Sequence, residues 1–294
     1  MRWIVFIGIL AWTLQSCQAP EKREWNQWKE ERRVALTDPY GWPSVVGLFW
    51  IKNSMAYFGS KENNDFILPQ TAATSMGRIV EIDSAYYLDA YSSLKVKVNG
   101  LNATKVRMLT DKEEGGPTIA SWRSLQWHII ERQDKAYLRV KDSLSSYRQA
   151  LLATDIPYYP YDETYRVKAK FTPVDSSQTI QYDNILGMKF DTPFAGYLDF
   201  QLHGESHRLA ALYNDEETYM VIFSDATTGI DTYGGGRYLY PKVADSQGET
   251  ILDFNQSINP PCVFTPHATC PLPPSENLMD CGIVVGEKLL KLYE

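Results

Sequence analysis

No apolar run of about 18 residues occurs beyond residue 20, so no segment of the body is expected to cross a bilayer as a helix. Basic clusters are also missing, and the net charge is −7 at pH 7. Nucleic acid, which is held through its phosphates by basic patches, is therefore not an expected partner. Histidine is scarce, with four in the chain, which gives little support to a cysteine nucleophile activated by His267. The G-x-S-x-G elbow, H-E-x-x-H, the phosphate-cradling P-loop and a G-x-G-x-x-G after a strand are all absent. No cofactor and no metal is expected. Aromatic residues, by contrast, are plentiful, with 19 tyrosines and 8 tryptophans, and apolar residues are spread along the chain. That composition belongs to a folded globular protein with ample chain for a core.

Residues 1–16 have the form of an export signal, with Arg2 before the short apolar stretch Trp3–Trp12. Leu14-Gln15-Ser16-Cys17 resembles a bacterial lipoprotein cleavage box, which makes Cys17 the expected lipidated residue and the membrane an expected partner. The alternative is an ordinary secretory signal with a chance cysteine. Gln18 stands where inner-membrane retention is associated with Asp, so the outer membrane is the expected location. Cys262, Cys270 and Cys281 then fall in an oxidising compartment. A Cys262–Cys270 disulfide is the first expectation, free buried thiols the second, and zinc on these thiols and His267 a distant third.

Within 17–37, the stretch Glu21–Leu36 carries Trp25, Trp28 and Arg32 at helical spacing, and Asp38-Pro39 ends it. This predicts an amphipathic helix packing its tryptophans on the domain that follows. Residues 38–150 hold short β-branched and aromatic runs, with Asn99-Gly100 as a hairpin signal. Phe58-Gly59-Ser60, Asn63–Pro69, Ser75 and Val98-Asn99-Gly100 give this region a similarity to a degenerate forkhead-associated sandwich. That family holds phosphothreonine with an arginine after the glycine. Ser60 occupies that place and no histidine follows Ser75, so the resemblance implies the fold and not the phosphopeptide activity.

Residues 143–160 read as a connection. Strand patterns resume at Tyr165, and Gly196–Leu202 alternates as a half-buried strand should. His203 and His207 flank Gly204 and predict a turn, not a metal site. Residues 151–294 are thus a second β-rich domain, and the fold class expected for the whole chain is all-β in two lobes. Thr232–Lys288 is dense in glycine, proline and polar residues. Asp225-Ala226-Thr227, Gly236-Arg237-Tyr238, Leu252-Asp253-Phe254-Asn255, Asn259-Pro260-Pro261-Cys262, Cys270–Pro274, Asn277 and Gly286-Glu287-Lys288 together resemble the bacterial domain-of-unknown-function family numbered 1684, over roughly residues 25–294. The resemblance implies architecture and carries no activity.

Physically, Arg237 after three glycines could grip a carboxylate or phosphate with its planar fork, or could pair internally with Asp253 or Glu287. Asp253 and Glu287 are candidates for an acid/base pair, and structural pairing competes with that role for each. Tyr238, Asn255, Asn259 and Asn277 could orient a polar ligand, although asparagine also serves turns. The expected function is an envelope lipoprotein that binds a small polar or anionic ligand, such as a carbohydrate or a cell-envelope fragment. The alternatives are a hydrolase working through Asp253 and Glu287, and a structural envelope component.

Overall fold

The computed structural model describes residues 19–293. The signal sequence at 1–16 and the expected lipid site Cys17 lie outside the described residues. No helix among the described residues is long and apolar enough to cross a membrane.

Helix α1 (Pro20–Thr37) starts on a proline, which is tolerated in a first turn because its missing N–H would have no partner there. Its Trp25 and Leu36 are buried and fall on one stripe with Trp28 and Arg32. Eleven strands follow: β1 (Val45–Trp50), β2 (Met55–Gly59), β3 (Phe66–Ile67), β4 (Gly77–Ile82), β5 (Ala85–Ala90), β6 (Lys97–Val98), β7 (Leu101–Asn102), β8 (Lys105–Met108), β9 (Ala120–Trp122), β10 (Leu125–Arg132) and β11 (Lys135–Asp142). They form a six-stranded sheet, β1-β11-β10-β9-β6-β7, and a five-stranded sheet, β3-β2-β4-β5-β8. Phe58, Met76, Ile79 and Leu88 from one layer meet Trp127, Ile129, Leu138 and Val140 from the other. Phe58 and Trp127 contact edge to face at 5.6 Å. The lobe is sandwich-like, as its strand spacing predicts. Asn99 and Gly100 both have positive φ, at 46° and 86°, the geometry of a two-residue hairpin turn between β6 and β7.

The chain leaves this lobe through a helix that the sequence reading takes for an irregular connection, α2 (Ser146–Leu152). The Ser145 hydroxyl accepts from Arg148 N at the helix start and donates to Pro43 O. Seven residues are too few for a readable period, so the cap and the burial of Leu151 decide the conformation. The second lobe contains β12 (Arg166–Pro173), β13 (Thr179–Asp183), β14 (Lys189–Pro193), β15 (Gly196–Leu202), β16 (Glu205–Tyr213), β17 (Tyr219–Phe223), β18 (Arg237–Leu239) and β19 (Glu249–Asp253). Its main sheet runs β18-β17-β16-β15-β12-β19, and β13-β14 form a separate hairpin. The stretch 179–191, which reads as one strand run, is divided here. Asn184 Oδ1 accepts from Leu186 N and Met188 N and folds the chain back before it can continue. The β15-β16 hairpin turns at His203 and Gly204, with φ of 52° and 85°.

Both faces of the main sheet are covered. Leu198, Leu209, Val221 and Leu252 pack with Ile283 and Val285 on one side. Ala210, Leu212 and Ile222 pack with Tyr238, Cys262 and Cys270 on the other. Cys262 and Cys270 form the expected disulfide, and Cys281 is a half-buried free thiol.

The two lobes meet along the outer face of the first six-stranded sheet. Thr265 Oγ1 donates to Val45 O at 2.7 Å, and Gln133 Nε2 donates to Lys189 O at 2.5 Å. Trp42 packs into the core of the second lobe while its ring receives Arg139 from β11. His128, Ile130, Tyr137 and Arg139 on that sheet face are all buried. Burial holds the His128 pKa down to about 4, and the cations Arg139 and Lys141 add to the effect. The folded state therefore binds this proton less readily than the unfolded chain. Stability that is full above pH ~6.5 falls as the pH drops towards 4, by up to about 3 kcal/mol for this group. Urea unfolding between pH 7 and 4.5, in buffers free of phosphate and sulfate, should show His128→Gln losing about one proton's worth of the wild-type slope. Identical slopes would mean that His128 is charged in the folded state.

Candidate functional site

The segment Ile283–Glu287 packs Ile283 and Val285 into the core, bends at Val285 and Gly286, and lies in no named strand. Its buried carbonyls need donors from elsewhere. Tyr159 N donates to Gly286 O, and Arg237 supplies those for Ile283 and Val285. Nη2 donates to Ile283 O at 2.7 Å and Nη1 to Val285 O at 2.5 Å, with Glu287 O at 3.5 Å from the same nitrogen. The carboxylate partner of Arg237 is Asp225, at 2.8 Å, in place of the expected Asp253 or Glu287. Both side chains are fully buried. Asp225 Oδ1 accepts from Thr227 N, Thr227 Oγ1 and Ile283 N, so the acid is fully engaged, while Arg237 Nε alone of the guanidinium nitrogens is buried without a partner. Gly236 makes this placement attainable. Its φ is +79°, and a Cβ there would stand 2.5 Å from Phe223 O.

Glu287 follows Gly286, which has φ +80° and would put a Cβ 2.7 Å from Ser257 O. The Glu287 side chain is fully buried beneath α1. Its Oε2 accepts from Asn259 N at 2.7 Å and its Oε1 from Arg32 Nε at 2.9 Å, with the Tyr158 hydroxyl donating at 3.4 Å. Burial first, and then the Glu287 charge, push the Tyr158 hydroxyl far above its ordinary pKa. Arg32 also donates to Asn259 O, and Asn259 Nδ2 to Lys288 O.

Asp253 and Asn255 form a neighbouring cluster. Asn255 Nδ2 donates to Asp253 Oδ1 and to Asp162 O, its Oδ1 accepts from Asp162 N, and its carbonyl accepts from Trp25 Nε1 of α1. Burial raises the Asp253 pKa, opposed by its bonds from Asn255 and by Arg166 at 3.6 Å. Asn277 joins strands, accepting from Ala210 N and donating to Ala210 O and Ile222 O. The Tyr238 hydroxyl donates to Pro271 O at 2.7 Å, and burial drives its pKa up.

The structure therefore gathers Glu287, Asn259, Asp253 and Asn255 under one helix, and it places Arg237, Asn277 and Tyr238 in the interior of the lobe. α1 packs on the second lobe, not on the sandwich that follows it in sequence. The fixed partners Arg32, Asp225 and Tyr158 complete the arrangement. Helical spacing singles out Arg32 in the sequence, but its target 255 residues away has no local signal. Among the described residues, no group of three or more His, Cys, Asp or Glu is placed to hold a metal.

Beside Tyr158 the polar layer reaches solvent. Lys29, Glu30 and Arg33 of α1 face Asp155, Ile156 and Tyr158 across a cleft of about 260 Å³. The Lys29 ammonium lies 3.8 Å from the Trp25 ring centroid and 5.5 Å from that of Tyr158. Burial, and then Lys22, lower its pKa. Neither Lys29 nor Arg33 enters an ion pair among the described residues.

Arg237→Met would leave Asp225 buried and unpaired, and should cost about 3–5 kcal/mol in urea unfolding. Adding Asp225→Asn should recover part of that loss, because the two side chains act as a unit. A loss below about 1 kcal/mol for Arg237→Met would show that the carbonyls of 283–287 do not depend on it.

Residues 154–288 match the model of the family described as a protein of unknown function, DUF1684. The match is confined to the second lobe and the segment that leads into it, whereas the motifs in the sequence spread the resemblance over 25–294. No curated protein matches. Among solved structures, an uncharacterized protein of Haloarcula marismortui is similar at 29% identity, covering 46% of this chain and 76% of that one, with a TM-score of 0.39.

Proposed function

We propose that the protein is an envelope lipoprotein anchored at Cys17, in the outer membrane, whose folded body binds a small polar or anionic ligand. The observation that carries the binding role is the cleft between α1 and residues 155–158, where Lys29 and Arg33 stand unpaired beside the Tyr158 ring. A carboxylate or phosphate group would give these cations the partner that no acidic side chain provides, and the aromatic wall suits a sugar ring. Binding is favoured over the hydrolase alternative. An acid/base pair needs two carboxylates facing a common open space. Glu287 is sealed beneath Arg32 and Tyr158, and Asp253 is held by Asn255. The sandwich lobe keeps its reading as forkhead-associated-like without phosphopeptide binding. Ser60 stands at the key position, and its hydroxyl donates to Ala72 O.

The anchor has a mechanical consequence. Only Gln18 and Ala19 separate Cys17 from Pro20, the first residue of α1. Three residue steps reach at most about 10 Å, so a lipid at Cys17 would hold α1 and its cleft close to the membrane surface. Cys17→Ser should abolish fatty-acid incorporation and move the chain from the membrane to the soluble fraction. Unchanged labelling in that variant would sink the anchor.

Binding is tested on the soluble chain beginning at Gln18, by thermal shift against a panel of sugar acids, sugar phosphates and peptidoglycan fragments. At least one compound should give a saturable shift that Lys29→Gln/Arg33→Gln lowers by tenfold or more in affinity, about 1.4 kcal/mol. A shift that survives the double substitution would move the binding site elsewhere, and a panel without any saturable shift would overturn the binding role.

A further inference from the structure

Buried arginines are ordinarily paired, because desolvating a charge is costly unless an opposite charge and hydrogen bonds replace the water. Arg237 obeys that rule; Arg139 does not. It sits on β11 opposite Leu48 of β1 and His128 of β10, on the sheet face that meets the second lobe. Only 7% of the residue is exposed. Its Nε and Nη2 are buried without a hydrogen-bond partner, and it enters no ion pair among the described residues. His128 beside it is equally enclosed, and its Nδ1 is also buried and unpartnered.

Asp38 acts on Lys141, and Asp111, the acid that acts on Arg139 and His128, is already committed. Its Oδ2 takes Arg132 Nη1 at 2.6 Å and its Oδ1 takes Glu131 N at 2.8 Å. Lys141, on the same face, donates to Tyr40 O and adds a second positive charge. The Trp42 ring lies 5.2 Å from the Arg139 guanidinium. A cation–π contact is worth about 2 kcal/mol or more when desolvated, but it supplies no hydrogen-bond acceptor.

We propose that Arg139, with His128 beside it and Trp42 against it, forms a site for a small oxyanion at the seam between the two lobes. A guanidinium with two free buried donors matches the paired oxygens of a phosphate, sulfate or carboxylate. The Nδ1–H tautomer of His128 adds a third donor. Burial holds the His128 pKa down and the cations Arg139 and Lys141 add to the effect; an anion here would offset those cations, so occupancy should raise that pKa. The bound anion would also join the lobes, because Trp42 belongs to the packing of the second. This site stands apart from the α1 cleft, and neither depends on the other.

The soluble chain beginning at Gln18 is titrated with inorganic phosphate, sulfate, acetate and chloride at constant ionic strength. Phosphorus NMR and equilibrium dialysis should find one saturable phosphate per chain at Arg139, retained in Lys29→Gln/Arg33→Gln and weakened at least tenfold in Arg139→Met. Competition by sulfate but not acetate would identify a tetrahedral ligand, and competition by acetate a carboxylate. A thermal rise that never saturates and is equal in wild type and Arg139→Met is the general salting effect of phosphate and would overturn the site. If Arg139→Met does not fold, the wild-type His128 ring resonance decides. Phosphate should move its titration up from about 4, and an unmoved titration across the series rejects the proposal.

Discussion

The second lobe depends on one guanidinium. The chain between Ile283 and Glu287 enters the core outside any strand, which would leave the Ile283 and Val285 carbonyls without donors. Arg237 reaches both of them firmly while its charge is balanced by Asp225. A lysine could not do the same work. It is a point charge without the planar fork that spans adjacent acceptors. Asp225 completes the arrangement by accepting Ile283 N, so the same pair serves both polar groups of that residue's backbone. The positive φ of Gly236 aims the arginine inward, and that of Gly286 turns Glu287 towards α1. Glycine, arginine and acid are thus consequences of one requirement, which is to bury a segment whose carbonyls at Ile283 and Val285 find no backbone donor.

α1 extends the same logic to the surface. Trp25 donates to Asn255 O, and Arg32 to Glu287 and Asn259 O. At the far end of the helix, Arg148 of α2 donates to Thr37 O. The helix is therefore bound to both the second lobe and the connection between lobes. Its weakly amphipathic sequence does not supply that stability alone, since most helical stability in proteins comes from tertiary packing. The cleft at Lys29 and Tyr158 inherits its shape from this docking, so a ligand there would act on the helix as well as occupy the gap.

Much of the fold is legible in the sequence because period-2 alternation is a local property. Gly196–Leu202 buries alternate residues as written, Asn99-Gly100 turns where expected, and Trp25, Trp28 and Arg32 share one helical stripe. The failures are also local in origin. α2 is too short to establish a period, and Asn184 breaks the 179–191 run through its side-chain carbonyl, which composition alone does not reveal. The candidate site was legible only as a list. Arg237, Asp253, Asn255, Asn259, Asn277 and Glu287 have the chemistry of a ligand pocket and also of buried backbone partners. The difference lies in what faces them, which is set by contacts such as the 255-residue separation between Arg32 and Glu287.

That ambiguity sharpens once pairing is known. Several cations that serve the fold are matched by an acid: Arg237 with Asp225, Arg32 with Glu287, Arg132 with Asp111. Asn277 is likewise spent on three backbone groups. Against this background an unmatched cation carries more information than a conspicuous motif. Lys29 and Arg33 are only half-buried and water can serve them, so their lack of an ion-pair partner costs little and argues only for what could bind. Arg139 is different, because burial has removed the water and the surrounding acids are already engaged. The same chemistry that makes Arg237 a structural element makes Arg139 an anion receptor, and the deciding quantity is the carboxylate that the first has and the second lacks.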